Sequence, residues 1–228
     1  MRSRELVIGV VCLLLGLVGG FYAANTLNRV NLTAGPTSAS TNISEETLLT
    51  VPSDGMRSDV TSTLTKADED PQNFAAQMKA GDMYAQIGRF EKAIEFYKRG
   101  VLINPSNFQA NVTLANALFD SQKFEEAGQY YSRALQTEPN DADVRTDLGA
   151  TFVEREKPDY QRAIEEFRQV QALHPRHLPS LYYLGIATLR NGDKEAARQL
   201  LSELEEKEPN SDLAARLRRN IEVSEITQ

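Results

Sequence analysis

The 228-residue sequence predicts an all-α solenoid of stacked helix pairs, and three observations predict it. The first is a proline period: Pro71, Pro105, Pro139, Pro175 and Pro209 stand 34, 34, 36 and 34 residues apart, and the last four each close an apolar, helix-spaced run. The second is a repeated small residue, Ala93, Ala127, Ala163 and Ala197, followed one helical turn later by Tyr97, Tyr131, Phe167 and Leu201. The third lies in the first half of each period: Ala80-Gly81 with Tyr84, Leu114-Ala115 with Leu118, Leu148-Gly149 with Phe152, and Leu184-Gly185 with Thr188. A fixed period of this size marks a repeat array, in which one unit cannot bury its apolar face alone and does so against its neighbours.

The spacing also says how each unit is built. Residues four apart share a helix face, so each period holds two amphipathic helices, A and B, with their apolar sides toward each other. The Gly or Ala of helix A lets the two axes close to a short separation, and the bulky residues fill the remaining space. In these residues the chain resembles the tetratricopeptide repeat family, whose 34-residue helix-turn-helix reads W-x2-L-G-x2-Y, then A-x3-F, then Pro. The resemblance covers about two-thirds of the chain and implies a right-handed superhelix of four repeats with a C-terminal capping helix. The family's Trp place holds Gln77, Asn111, Arg145 and Leu181, and Thr188 stands where an aromatic is usual.

Taken in order, residues 1–5 form a short N-terminus carrying Arg2 and Arg4, followed by Leu6–Leu27, which contains no charged residue. About 20 apolar residues at 1.5 Å each span a bilayer's hydrocarbon core of about 30 Å, which predicts a transmembrane signal-anchor helix. Positive charge before the span, against Arg29 alone close behind it, places the N-terminus in the cytoplasm and the repeats on the far side of a bacterial inner membrane, in the periplasm. A cleaved signal peptide is the competing reading, with an apolar region of about 7–15 residues and a small-x-small cleavage site. Gly16 and Gly20 make a G-x-x-x-G that would pair membrane helices. Cys12, the single cysteine, falls inside the span, so the exported part forms no disulfide.

Residues 28–70, rich in Thr, Ser and Asn with Gly35-Pro36 and Pro52-Ser53-Asp54-Gly55 turn signals, read as a flexible linker with a reach of about 35 Å. Repeats 1 to 4 follow at 71–104, 105–138, 139–174 and 175–208. Helices A and B are expected at 72–86 and 90–102, 106–120 and 124–137, 140–155 and 159–173, and 177–191 and 194–206. Phe90, Phe124 and Tyr160 staple A to B at the turns. The third unit gains two residues at Glu156-Lys157-Pro158-Asp159, where an insertion costs least. In 209–228, Leu213, Leu217 and Ile221 recur every fourth residue while Arg216, Arg218 and Arg219 take the other sides, as a capping helix requires.

A net charge of −7 and a pI near 5.0 argue against a nucleic-acid binder, which needs a basic footprint. No nucleophile, base and orienting group stand together, and no glycine-rich phosphate loop occurs, so no enzymatic activity and no cofactor are expected. His174 and His177, the only histidines, lie in one turn without a cysteine nearby; they read as solvent-exposed turn residues and not as a metal site.

The family resemblance implies that the A helices line a concave groove that takes a partner peptide or helix. The helical period selects the residues facing that groove: Met78, Lys79, Asp82, Ala85 and Gln86; Gln109, Val112, Thr113, Asn116, Phe119 and Asp120; Asp143, Thr146, Asp147, Ala150, Val153 and Glu154; and Tyr182, Tyr183, Ile186, Leu189 and Arg190. Asp82, Asp120, Asp143, Asp147 and Glu154 give the middle of that surface a negative charge, while Phe119, Tyr182, Tyr183 and Ile186 supply apolar contact. The expected ligand is therefore a neutral-to-basic, partly apolar segment of another protein. Family members that hold the acidic C-terminus of heat-shock chaperones use a Lys, Asn and Arg clamp; Met78, Asp82, Thr113, Asp143 and Asp147 stand at the matching places, with the charge reversed. The leading reading is a single-pass anchored scaffold or adaptor. The alternatives are an assembly chaperone for exported proteins such as c-type cytochromes, which rests on resemblance of layout, a translocon accessory factor, or an outer-membrane receptor of mitochondria with its repeats in the cytosol.

Overall fold

The structure, a computed structural model, describes residues 53–226. The expected span Leu6–Leu27 and the linker up to residue 52 lie outside the described residues. Among those described, ten helices and no strand occur: α1 Ser53–Glu69, α2 Phe74–Gln86, α3 Phe90–Ile103, α4 Phe108–Asp120, α5 Phe124–Thr137, α6 Ala142–Glu154, α7 Tyr160–Leu173, α8 Leu178–Arg190, α9 Lys194–Lys207 and α10 Asp212–Ile226. The A helices are α2, α4, α6 and α8, the B helices α3, α5, α7 and α9, and each element packs on the next along the chain.

The prolines work as turn formers. Asn73, Asn107, Asp141, His177 and Ser211 each donate a backbone N–H to the carbonyl three residues back, at 2.9–3.3 Å, with a proline second in every turn. Proline's fixed φ suits that position. The residue that ends the turn then caps the next helix: Asn73, Asn107 and Asp141 accept from the backbone N–H three residues on, and His177 does so through Nδ1. The first three A helices accordingly begin two residues later than the sequence reading placed them, and the fourth one later, because that reading took the capping residue and its neighbour into the helix.

The A-to-B turns differ by unit. In units 1, 2 and 4 the chain reverses through a left-handed residue, Gly88, Gln122 or Gly192, and Arg89, Lys123 and Asp193 donate to the carbonyls of Tyr84, Leu118 and Thr188, five residues back. In unit 3 the equivalent bond runs from Asp159 N–H to Phe152 O at 2.8 Å, seven residues back. The two extra residues are absorbed there without disturbing the helices on either side.

Close A–B approach follows the small residues in units 1 and 3. A β-carbon on Gly81 would collide with the Tyr97 ring, and one on Gly149 with the Phe167 ring. In unit 4 the partner changes: Gly185 faces Leu217 of α10, so its small size serves the capping helix. One apolar core runs from Ala93 to Ile221, with Leu114, Leu118, Phe167, Leu204 and Leu217 fully enclosed. A second cluster of Ala67, Ala76, Ala80 and Phe96 closes the N-terminal end, where Leu64 of α1 packs.

α1 corrects the linker expectation over Ser53–Glu69. Its strength comes from its neighbour more than from its own sequence: Gln77 Nε2 donates to Ala67 O at 2.6 Å in a buried setting. The other polar residues at the family's Trp place act alike. Asn111 donates to Pro105 O and Asn107 O, both at 2.8 Å, and Arg145 donates to Pro139 O at 2.7 Å while pairing with Glu166 at 2.7 Å. Each polar side chain thus ties its A helix to backbone carbonyls that precede it, the role an indole would fill by bulk.

Candidate functional site on the A helices

The surface expected to bind a partner is built from successive A helices. Lys79, Asp82, Gln86, Gln109, Asp120, Asp143, Glu154 and Arg190 are exposed there, and Met78, Val112, Thr113, Asn116, Phe119, Asp147 and Tyr183 are half-buried. Five expected groove residues are corrected: Thr146, Ala150, Val153, Tyr182 and Ile186 keep only 3%, 1%, 2%, 4% and 6% of their surface. The helical period gives a face but not what covers it. Thr146 turns its hydroxyl back to Ala142 O at 2.7 Å, and Tyr182 lies under the Arg216 guanidinium of α10, 5.2 Å from the ring centre. The apolar end of the groove is therefore narrower than the sequence reading drew it.

Hydroxyls from the B helices organise the first half of the surface. Tyr97 donates to Asp82 Oδ1 and Tyr131 to Asn116 Oδ1, each at 2.7 Å. Asp82 and Asn116 occupy the place next to the small residue of helix A, and the equivalent places in units 3 and 4 hold Ala150 and Ile186, opposite Phe167 and Leu201, which have no hydroxyl. Asp82 is oriented by a neutral donor, the Tyr97 hydroxyl. Met78 Sδ lies against the α-carbon of Gly100, whose missing side chain makes room for it.

The acidic residues of the third unit are engaged by the fourth. His177 Nε2 lies 3.0 Å from Asp143 Oδ1. Since His177 Nδ1 accepts from Ser180 N–H, Nε2 carries the proton and donates. That bond holds the Asp143 carboxyl below the usual carboxylate range. At the other end of the same helices Arg190 pairs with Glu154 at 2.9 Å. His177 is thus a capping and bridging residue, not the solvent-exposed turn residue expected; His174 is exposed and bonds Asn140 O at 3.1 Å.

Aromatic contacts complete the fourth unit. Tyr183 stacks on Phe167 with centroids 5.9 Å apart and meets Tyr182 edge-on at 5.1 Å. Burial pushes both phenols up from their ordinary value, Tyr183 well above it, so both stay protonated and neutral. Among the described residues no group of three or more His, Cys, Asp or Glu is placed to hold a metal ion, and no helix is long and apolar enough to cross a membrane.

Sequence reasoning passed over one further feature, a cleft of about 450 Å³ where α5 meets α6 and the start of α7. None of its lining residues belongs to the expected groove. The signals were present: Gly128 breaks a column in which Ile94 and Ile164 hold the equivalent places, and the unit 3 insertion lies beside it.

Comparison with known proteins agrees with the architecture. A TPR repeat family model matches residues 81–120, and the model of the cilia and flagella-associated protein 70 middle TPR-like domain matches 112–223. Among solved structures, YrrB, described as a TPR protein with an unusual peptide-binding site, superposes with a TM-score of 0.65 at 18% identity, covering 73% of this chain and 85% of that one. A crystal structure of MamA gives 0.60 at 22% identity, covering 71% and 96%. MamA from residue 41 onward of Desulfovibrio magneticus RS-1 gives 0.61 at 18%, covering 68% and 87%. No curated protein sequence matches the chain. The helix pairs, turns and matches together define the class: an all-α solenoid of tetratricopeptide repeats. The two tetratricopeptide repeat models together match residues 81–223, most of the repeat region.

Proposed function

We propose that the chain is a single-pass anchored adaptor that holds a segment of another protein along its A helices, on the periplasmic side of a bacterial inner membrane. The observation that carries the reading is the run of solvent-facing polar side chains on four successive A helices, Lys79 to Arg190, above one apolar core. A solenoid leaves such a surface continuous from repeat to repeat, which suits an extended or helical polypeptide better than a small molecule. The peptide-binding site described for YrrB supports the same use of this fold.

The ligand is a neutral-to-basic segment with apolar positions. Asp82, oriented by the Tyr97 hydroxyl and in no ion pair among the described residues, is the strongest local source of that preference, and Glu154 and Asp143 contribute less because Arg190 and His177 already engage them. Phe119, half-buried against Phe124 at 5.0 Å, offers an apolar step in the middle of the surface. Calorimetric titration with a basic peptide and with its acidic counterpart of equal length tests this: the basic one binds more tightly, and Asp82→Asn narrows the difference. Equal or tighter binding of the acidic peptide to this face removes the proposal. Protease added to intact spheroplasts is expected to digest the repeats, and protection would move them to the cytoplasm.

A further inference from the structure

The cleft between α5 and α6 is a product of two departures from the repeat, and both fall at one place. The first is a change of size. Where units 1 and 3 carry Ile94 and Ile164 on helix B, both buried, unit 2 carries Gly128. The residue facing it is Thr151, whose equivalents are Ala117 in unit 2 and Ala187 in unit 4. A β-carbon on Gly128 would stand 3.0 Å from Thr151 Oγ1, so the helix backbones meet closely but no large side chain fills the space beyond. The second departure is the longer unit 3 turn, which ends α6 in an extended residue, Arg155, at φ −64 and ψ 160.

These departures leave an opening whose walls carry cations. Arg155 and Arg162 lie over the Phe152 ring, 5.0 and 4.5 Å from its centre, and Arg133 lies 5.0 Å from the centre of Tyr130. Arg133, Arg155 and Arg162 all line the same cleft, with Glu125 the one carboxylate in its lining. Asp159 pairs with Arg155 at 3.1 Å, yet Arg155 Nε remains buried without a hydrogen-bond partner. Arg133 and Arg162 form no ion pair among the described residues. Stacked guanidiniums match planar carboxylates bidentately, and the open cleft of about 450 Å³ admits side-chain carboxylates.

The geometry points to a second binding site on the helix-B side, between units 2 and 3, for the carboxylate side chains of an acidic peptide segment. It rests on the adaptor reading only in taking a peptide as the ligand. Its charge preference is opposite to that of the A-helix face, and its residues do not overlap with that face, so either site stands if the other fails. In a chain of net charge −7 the cleft is a local exception to the overall field, which makes the arginines the determinant of where an acidic segment docks.

The test is titration of the full chain with the blocked tetrapeptide acetyl-Glu-Glu-Leu-Glu-amide and with its Gln-for-Glu counterpart, followed by heteronuclear NMR. The acidic peptide is expected to bind and to shift the resonances of Gly128, Thr151 and Arg162, and the Gln peptide to bind at least ten-fold more weakly. Arg155→Gln with Arg162→Gln is expected to weaken the acidic peptide at least ten-fold. Gly128→Ile with Thr151→Ala, which restores the Ile and Ala pattern of the neighbouring units, closes the cleft and abolishes binding in a protein that stays folded. Any of four results overturns the proposal: no binding to the full chain, equal binding of the two peptides, binding indifferent to both double variants, or an arginine-dependent attachment to anionic phospholipid vesicles or to a second copy in place of the peptide. Lys92→Gln, which removes an exposed cation outside the cleft lining, serves as the control and leaves the acidic peptide's affinity within two-fold.

Discussion

The seam between units 3 and 4 and the seam between units 2 and 3 join the same kinds of helices and are built in opposite ways. At the first, His177 reaches Asp143, Arg190 reaches Glu154, and Gln171 Nε2 donates to His177 O at 2.8 Å and to Ser180 Oγ at 2.6 Å, around a buried Ile164. At the second, Gly128 meets Thr151 and a cleft opens next to them. In a solenoid the stability is close to a sum of unit terms and nearest-neighbour seam terms. A closed seam therefore contributes to holding the array together, and an open one contributes surface. Unit 3 takes part in both seams.

The largest test of that contrast is inside unit 3. Phe167 is fully enclosed against Gly149 and under Tyr183. Phe167→Ala is expected to cost about 3–5 kcal/mol, the range for emptying a buried phenylalanine site, measured from denaturant midpoints. Loss of much less would mean that the surrounding side chains collapse into the emptied Phe167 site. Next in size is conversion of the open seam: Gly128→Ile with Thr151→Ala is expected to gain about 1–2 kcal/mol, from new apolar burial and better helix propensity less the lost Thr151 Oγ1 bond to Leu148 O. A destabilised double variant would show that the opening is not a removable gap.

A smaller effect sits at the unit 2 turn. Gln122 adopts φ 60 where units 1 and 4 use glycine, and an L-residue there costs about 1–2 kcal/mol over a relaxed backbone. Gln122→Gly is expected to recover up to about 1 kcal/mol, read as a raised thermal midpoint. Unit 3 avoids the left-handed residue by lengthening its turn, so the same insertion that shapes the cleft also removes a strained position.

How much of this the sequence disclosed depends on whether a feature is local or depends on a neighbour. The prolines, the small residues and the aromatics one turn later are local, and they yield the repeat and its helix pairs. The helix at Ser53–Glu69 is not local: its polar sequence gives no strong apolar stripe, and its seat is made by Ala76, Ala80 and the amide of Gln77 on the next element. The groove residues divide the same way. Asp82 and Gln109 are exposed, as the helical period alone indicates, whereas Tyr182 and Ile186 are buried in a fourth unit onto which α10 folds. The arginine cleft was hidden because its elements, Gly128, Arg155 and Arg162, look unrelated until three helices bring them to one place.

The smallest predicted effect separates hydrogen bonding from charge at the closed seam. Asp143→Asn keeps an acceptor for His177 Nε2–H but removes the charge that strengthens the bond. Asp143's carboxyl is lowered in the folded chain, first by the His177 hydrogen bond. A depressed carboxyl contributes stability above the unfolded aspartate value of about 3.9 and loses it as pH falls through the lower folded value. Because the Asp143 side chain is largely exposed, solvent screening reduces the charge contribution to a few tenths of a kcal/mol. Wild type should therefore exceed Asp143→Asn slightly at pH 7, with the gap closing below about pH 4. Measured by urea denaturation at both pH values, a gap that persists in acid would assign the loss to changed geometry at the His177 cap and not to charge. The closed seam would then be a matter of fit, and its contrast with the open one would lie in shape alone.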